Sequence, residues 1–305
     1  MRKLLLALAL AVALLGIAAC GGDDTTAGGD STAAGAECTK ASLATKTAGT
    51  LTLGTDNPAF PPWFGGGEKD KPWEINDPST GEGYESAVAY AVAQKLGFAT
   101  TEVKWAVTKF DISFAPGAKD FDVFINQVSI TPERAQNVDF STGYYNVNQA
   151  VVALDNKPRT SGSFGRRRVR IAAATSIAEL KGYKLGAAVG TTSLKAIEDK
   201  VQPTTKARVY NTNDDAVSAL KAGQIDGIVV DLPTGYFVTA AQVEGSKIVG
   251  QFPTDGTPEQ FGMVLEKGSA LTSCVSTAVD GLRADGTLEK LEQQWLAGAA
   301  APFLK

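Results

Sequence analysis

The amino-acid sequence predicts an α/β protein with more than one domain. Segments with the composition of β-strands alternate with segments of helical periodicity along most of the chain, and this alternation is typical of α/β domains. A length of 305 residues is sufficient for two domains. A content of 44% hydrophobic and 20% charged residues is ordinary for a globular protein with a substantial core.

The first 49 residues precede the predicted domains. Arg2 and Lys3 are followed by the apolar run Leu4–Ala19, so residues 1–19 have the charged and apolar parts of a secretion signal. The apolar run is short and wrongly flanked for a membrane span. Residues 20–49 are predicted to form a tether, since their first part is rich in Gly, Asp, Thr, Ala and Ser and lacks the apolar content needed to fold.

The first predicted elements follow this tether. A helix is expected at Glu85–Leu96, because Val88, Val92 and Leu96 share one face and Gly97 is a suitable stop. Residues 57–78 are rich in Pro, Gly and aromatic residues and are expected to be irregular. The predicted strands are Leu51–Asp56, Val103–Ala106 and Phe121–Val128.

The remaining elements continue the alternation of strands and helices. The predicted strands are Asn148–Leu154, a strand ending at Val189, Arg208–Asn211, Ile225–Val230 and Phe261–Leu265. The predicted helices are Thr192–Val201, Asp214–Ala222, one around Val275–Leu282 and one around Leu288–Trp295. Gly223 is expected to end the helix before it.

Arg134 lies in the most informative segment of the chain. The buried-looking strand that ends at Val128 leads into Thr131 and Pro132, which are favoured at the cap and first position of a helix. Arg134 is therefore expected in a first helical turn at the carboxyl end of a strand, where open α/β sheets bind ligands. Its planar guanidinium matches a carboxylate, although a surface ion pair would also explain it.

The same segment resembles a known family. Residues 128–134 (Val-Ser-Ile-Thr-Pro-Glu-Arg) and 138–145 (Val-Asp-Phe-Ser-Thr-Gly-Tyr-Tyr) are similar to the signature of the polar amino-acid-binding proteins of ABC transporters, solute-binding protein family 3. The similarity extends from about Leu51 to Trp295. It implies the type II periplasmic-binding fold, with two α/β lobes joined by two hinge segments and a ligand in the cleft between the lobes.

The resemblance also implies where the lobes begin and end. The two crossing segments are expected near 146–149 and 255–263. The first lobe would then be discontinuous, comprising 50–146 and 263–305, and the second lobe would comprise 150–255.

The resemblance assigns partners to the charged groups of an amino acid. Arg134 and the Gly190-Thr191-Thr192 segment correspond to the positions that bind the ligand carboxylate, and Asp231 to the position that binds the ammonium. Thr191 could instead be a plain helix cap, and Asp231 a cap of the turn that follows it. Asp226 matches a different position and is expected to be structural. Further polar contacts are expected from Asn126, Gln127 and Ser129.

The ligand side chain is expected between aromatic residues. The family positions correspond to Phe60 and Phe110, and Trp63 could replace Phe60 because one residue is inserted after Asp56. Packing roles are the alternative for all three aromatic residues. Asp56 belongs to the same contact segment, and Glu85 could face the distal end of the ligand or serve only as an acid in a first helical turn.

Asn126-Gln127 is similar to the cystine-binding branch of the family. Cystine is therefore the leading ligand prediction, followed by glutamine, asparagine, glutamate or a basic amino acid. The expected partners are this small polar amino acid and the subunits of an ABC permease, with the binding protein acting as a monomer.

Cysteine usage adds two expectations. Ile17-Ala18-Ala19-Cys20 resembles a lipobox, which implies cleavage before Cys20 and attachment to the outer face of the cell membrane by a lipid. Ordinary signal cleavage is the alternative. Cys38 and Cys274 fall in regions that belong to one lobe in the family, so the resemblance favours a disulfide over free thiols in an exported chain.

Composition and charge exclude several classes of function. The chain has no histidine, which argues against metal sites and against Ser-His or Cys-His nucleophiles, and no cofactor is expected. A net charge of −4 argues against nucleic-acid binding. The main alternative is an enzyme on the same scaffold, a dehydratase acting on a cyclic carboxylate with Glu85 as its acid or base. A sensor domain is a further alternative.

Overall fold

The computed structural model describes residues 38–155, 170–254, 256–296 and 301–305. These residues form two α/β lobes, each built on a five-stranded sheet. The predicted signal peptide, Cys20 and most of the predicted tether lie outside the described residues. Within the described part of the chain, no helix is long and apolar enough to cross a membrane.

The strands, in chain order, are β1 (Leu51–Thr55), β2 (Val103–Val107), β3 (Val123–Phe124), β4 (Val138–Phe140), β5 (Tyr145–Val147), β6 (Gln149–Leu154), β7 (Leu185–Ala188), β8 (Arg208–Tyr210), β9 (Gly227–Asp231), β10 (Ser246–Gln251), β11 (Glu259–Phe261) and β12 (Val264–Glu266). The helices are α1 (Tyr84–Lys95), α2 (Phe110–Ser113), α3 (Pro132–Ala135), α4 (Ile177–Leu180), α5 (Thr192–Ala196), α6 (Asn213–Lys221), α7 (Leu232–Phe237), α8 (Thr272–Ala284) and α9 (Thr287–Trp295). Helices α5 and α7 each continue into a π-helical turn, at Ile197–Val201 and Val238–Gln242.

The first lobe carries the sheet β2-β1-β3-β12-β4. Its strands β1, β2 and β3 are parallel, and β12 runs antiparallel to β3 and β4. Both faces are buried, since Leu53 packs in a cluster with Val88 of α1 and Val275 of α8, while Phe124 packs in a separate cluster on the other face. This two-sided burial explains the near-continuous apolar runs of these strands.

Strand β3 is shorter than the predicted strand 121–128. Ile125 still donates its N–H to Gly54 at 3.0 Å, but Gln127 adopts a left-handed conformation with φ of +48°. A non-glycine residue rarely adopts this conformation, and it turns the chain out of the sheet. Residues 126–129 therefore form a loop at the carboxyl end of β3, although Ile125 and Val128 remain buried.

The second lobe carries the sheet β10-β6-β9-β7-β8. Val151 and Val152 on β6 point into two different clusters, as do Val229 and Val230 on β9, because successive side chains of a strand face opposite sides of a sheet. Strand β10 was not predicted. It lies at the edge of the sheet, antiparallel to β6.

Two short strands connect the lobes. Strands β5 and β11 pair antiparallel with Glu259 opposite Val147, and they overlap with the two segments predicted to cross between lobes. Tyr145 and Phe261 pack against each other with ring centroids 5.9 Å apart.

Residues 301–305 contact the second lobe, whereas the sequence prediction assigned them to the first. Phe303 forms a parallel bridge with Gln251 at the exposed edge of β10, and Leu304 is buried in the core beneath. Leu304 donates its N–H to the Gln251 carbonyl at 2.9 Å, and Gln251 donates its own to Pro302 at 2.8 Å. The segment therefore covers backbone groups that an edge strand leaves unpaired.

Cys38 and Cys274 form a disulfide, as predicted, with their Cα atoms 5.3 Å apart. Cys274 is buried in α8, and Cys38 packs against the same core cluster of the first lobe. The bond joins the segment before β1 to the C-terminal helices.

Candidate functional site

Arg134 is buried at the junction of the two lobes. Thr131 caps α3 by accepting the N–H of Arg134 at 3.2 Å, as the sequence predicted. The guanidinium donates through Nη1 to the Ser129 carbonyl at 2.7 Å and through Nη2 to the Gly190 carbonyl at 2.8 Å. Gly190 belongs to the second lobe, so this cation contacts both lobes.

Aromatic rings hold the guanidinium in place. The carbon of the guanidinium lies 4.4 Å from the ring centroid of Phe114 and 5.5 Å from that of Phe110. Burial lowers the pKa of Arg134 to about 10, an effect that the negative charge of Glu259 opposes. The group therefore remains a cation at neutral pH, and five N–H donors are available to it. Only two of them are used within the described residues.

Thr191 and Thr192 begin α5 on the second lobe. The Thr191 hydroxyl accepts the N–H of Leu194 at 3.1 Å and donates to the Ala188 carbonyl at 2.7 Å, so its side chain serves as a helix cap. The Thr192 hydroxyl lies 3.2 Å from the hydroxyl of Ser129, across the cleft. This contact brings two predicted site residues, Thr192 of the second lobe and Ser129 of the first, together.

Asp231 ends β9 and caps α7. Its Oδ1 accepts the N–H of Thr234 at 3.0 Å, and the side chain is buried. Burial raises the pKa of Asp231 to about 6; hydrogen bonds from Thr234 oppose the rise and the charge of Glu259 adds to it. The cap anticipated as an alternative is therefore present, on an acid that lies at the carboxyl end of a buried strand.

Trp63 of the first lobe contacts helix α7, which Asp231 caps. Its indole Nε1 donates to the Thr234 hydroxyl at 3.1 Å. The ring is buried and meets Tyr145 and Phe261 of the hinge strands edge-on, at centroid distances of 5.7 and 5.6 Å. Phe60 is only partly buried. Trp63 is therefore the aromatic residue of this segment that joins the two lobes.

Asp56 and Phe110 lie beside each other at the end of β1. Asp56 accepts the N–H of Phe110 at 3.1 Å and that of Asn57 at 2.8 Å. Burial raises the pKa of the Asp56 carboxyl, and these hydrogen bonds oppose the rise. The acid thus fixes α2, which carries Phe110 against Arg134.

Glu85 is fully buried inside the first lobe. It accepts the backbone N–H of Gln127 at 2.6 Å and further hydrogen bonds from the Gln127 amide and the Tyr144 hydroxyl. Burial raises its pKa to about 7. The Gln127 amide also donates to Asn126 at 3.2 Å. Glu85 therefore holds the loop 126–129 in its left-handed turn.

Sequence reasoning missed three polar residues at the base of the cleft. Glu259 on β11 accepts from the Ser129 hydroxyl at 2.5 Å and from the Gln149 amide at 3.2 Å. The Gln149 amide also donates to Thr192 at 3.2 Å, and its carbonyl accepts from Ser193 at 2.5 Å. Glu259 and Gln149 lie inside the predicted hinges, and Ser193 follows the predicted site residue Thr192; these positions were the only available signal. Asp226, predicted as structural, accepts the N–H of Lys184 at 2.8 Å beside β7.

Comparison with known proteins identifies the class. Residues 64–298 match the family model of bacterial extracellular solute-binding proteins, family 3. The L-cystine-binding protein TcyJ of Escherichia coli K12 is 29% identical over 252 residues, which covers 82% of this chain and 84% of that protein.

Solved structures give the same result. A structure described as an ancestral arginine-binding protein bound to glutamine is 30% identical, covers 83% of this chain and all of its own, and has a TM-score of 0.63. The ancestral amino acid-binding protein AncCDT-1, a precursor of cyclohexadienyl dehydratase, is 26% identical, covers 81% of this chain and 95% of its own, and has a TM-score of 0.62.

The fold is therefore that of a type II periplasmic-binding protein, with candidate polar groups where its two lobes meet. This chain belongs to family 3 of the bacterial extracellular solute-binding proteins.

Proposed function

We propose that this protein is an extracytoplasmic receptor that captures a polar amino acid between its lobes and delivers it to an ABC permease. The observation that carries the proposal is the burial of a cation, Arg134, and an acid, Asp231, on different lobes that contact each other through Gly190 and Thr234. An unpaired charge buried in a protein is costly, and a bound zwitterion would supply both missing partners.

The carboxylate of the amino acid would bind Arg134. The guanidinium is pre-oriented by two carbonyls and two aromatic rings, so little rotamer entropy remains to be lost on binding. Thr191, Thr192 and Ser129 are proposed as further contacts. The hydroxyls of Ser129 and Thr192 already meet across the cleft.

The ammonium would bind Asp231. Its proposed neighbours are Trp63, which reaches the same helix turn, and the loop of Asn126 and Gln127. An ammonium beside Asp231 would restore the charged carboxylate that burial disfavours.

The ligand is proposed to be cystine, with glutamine, arginine or another polar amino acid as the alternatives. The named relatives and structures support this class, since their descriptions mention cystine, arginine and glutamine. Attachment to the membrane through a lipid on Cys20 is part of the proposal and rests on the sequence.

A thermal-shift screen of the twenty amino acids and cystine tests the proposal. A ligand that binds only the native state must raise the melting temperature, so at least one polar amino acid is expected to do so. Arg134→Ala should abolish that shift, and Lys95→Ala, which removes a cation from an exposed ion pair with Asp285, should leave it intact. The absence of a shift with every amino acid would refute the proposal.

The second candidate is an enzyme that acts on a cyclic carboxylate. The likeness to AncCDT-1, described as a precursor of a dehydratase, is the observation that favours it. It would need a free acid in the cleft, whereas Glu85 already accepts three hydrogen bonds within the first lobe. Consumption of a cyclohexadienyl carboxylate by the purified protein would support this candidate over the receptor.

A further inference from the structure

Glu259 lies on a hinge strand at the base of the cleft. Its carboxylate accepts from the Ser129 hydroxyl at 2.5 Å, and from the Gln149 amide at 3.2 Å to one oxygen and 3.4 Å to the other. Ser129 belongs to the first lobe and Gln149 begins the first strand of the second. One donor from each lobe therefore fixes the position of the Glu259 carboxylate.

Glu259 is connected through one neighbour each to the two proposed partners of the amino acid. Ser129 binds Arg134 through its carbonyl and Glu259 through its hydroxyl. On the other side, Gln149 is directly opposite Asp231 in the ladder of β6 and β9. The negative charge of Glu259 acts on both groups, since it favours the cationic form of Arg134 and disfavours ionisation of Asp231.

Two carboxylates and one guanidinium leave this part of the cleft with an excess of negative charge. The Ser129 hydroxyl and the Gln149 amide stabilise Glu259 but bring no positive charge. An ammonium group has three donors, which is enough to reach two carboxylates and the Ser129 hydroxyl. A cation of this kind would relieve the repulsion between the acids.

We propose that Glu259 is a specificity-determining residue, which acts with Asp231 as a second carboxylate for the ammonium group of the amino acid. This inference rests on the proposed function. It makes the site selective for a charged amino group, and not only for a carboxylate of the right size.

The test compares ligands with and without that group. Isothermal titration would measure the binding of L-cystine, L-arginine and L-glutamine and of the matching acids that lack the α-amino group: dithiodipropionic, guanidinovaleric and glutaramic acid. The preference of the wild-type protein for the amino acid over its deaminated partner should fall by about tenfold or more in Glu259→Gln, because one attractive charge is lost. Glu259→Asp should retain more of that preference than Glu259→Gln.

Controls separate this role from a structural one. If Glu259 served only to hold the hinge through Ser129 and Gln149, Glu259→Gln would weaken amino acids and deaminated acids equally, and that result would overturn the inference. Glu244→Gln removes the same charge from an exposed position of the second lobe and should leave the preference unchanged. Thermal unfolding without ligand checks that each variant is folded.

Failure of the proposed function would look different. Wild-type protein that bound none of the amino acids in the thermal screen would refute the receptor function, and this inference with it. Wild-type protein that binds an amino acid while Glu259→Gln keeps the full preference would refute the role of Glu259 alone.

Discussion

Glu85 and Asp231 are both buried acids that the sequence marked as ligand contacts, but their surroundings differ. Glu85 accepts three hydrogen bonds from its own lobe, two of them from Gln127. Asp231 is bonded by Thr234 in its own helix turn, and that turn is contacted by Trp63 of the other lobe. Burial raises the pKa of both acids. The number and origin of the donors, and not burial, separate the acid that holds the fold from the acid proposed to bind the ligand.

The largest expected effect is on folding. Glu85→Ala leaves two N–H donors of Gln127 and the Tyr144 hydroxyl without their acceptor, and each buried unsatisfied group costs about 1–3 kcal/mol. We expect the free energy of unfolding to fall by about 4 kcal/mol in urea denaturation. Glu74→Ala, at an exposed position of the same lobe, should change it by less than about 0.5 kcal/mol. If the Glu85→Ala protein were stable but no longer bound ligand, Glu85 would be a ligand contact and not an acid that holds the fold.

Asp231→Asn should act mainly on binding. The variant keeps an oxygen to cap α7 but removes the charge proposed to meet the ammonium, so affinity for the amino acid selected by the thermal screen should fall by about 3 kcal/mol. Titration calorimetry measures this loss. Asp226→Asn removes an acid five residues earlier, outside the cleft, and should bind normally. Unchanged affinity in Asp231→Asn would contradict the assignment.

The pH dependence of stability should distinguish the two acids. A raised pKa means that the native state binds more protons than the unfolded state, so the free energy of unfolding falls as pH rises through the interval between the two pKa values. For Glu85 this interval runs from 4.5 to about 7, and for Asp231 from 3.8 to about 6. Glu85→Gln should remove about 3 kcal/mol of the fall between pH 4.5 and 7.

Adding the amino acid at a saturating concentration should increase the difference between the pH dependences of Glu85 and Asp231. Its ammonium would favour ionised Asp231, so affinity should decrease as pH falls below about 6, whereas the contribution of Glu85 should not depend on ligand. Denaturation curves at several pH values, with and without the amino acid, measure both. A contribution of Glu85 that disappeared on ligand binding would place this acid in the cleft.

The smallest effect is expected at the contact between Trp63 and Thr234. Trp63→Phe keeps an aromatic ring against the hinge strands but removes the hydrogen bond to the second lobe. The affinity should fall by about 1 kcal/mol, and a double-mutant cycle with Thr234→Val should show coupling of similar size. Additive effects of the two substitutions would mean that the bond does not stabilise the bound arrangement.

Local rules predicted where Arg134 and Asp231 lie in the fold. The positions of Arg134 in a capped helix turn and of Asp231 at a strand end follow from Thr131-Pro132 and from the apolar run before Asp231. The alternation of strands and helices predicted the α/β class, and the family resemblance predicted the two-lobe fold and the disulfide.

Local sequence patterns could not predict contacts between residues that are far apart in the chain. The role of Glu85 depends on Gln127 and Tyr144, which lie 42 and 59 residues away, so periodicity could place the acid on a helix but not find its donors. Glu259 was not predicted as a site residue because the three-residue hinge strand β11 is too short to show a periodic pattern. Strand β10 was missed because its only large apolar residues, Ile248 and Val249, are adjacent and show no alternation.

Because residues 301–305 are attached to β10, the polypeptide connects the two lobes a third time. Helix α9 ends in the first lobe, and the five peptide steps from Leu296 to Ala301 can span at most about 18 Å when fully extended. That length sets an upper limit on how far the two anchor points can separate while Leu304 stays in its pocket. If the two lobes opened beyond this limit, residues 301–305 would have to detach from the edge strand β10.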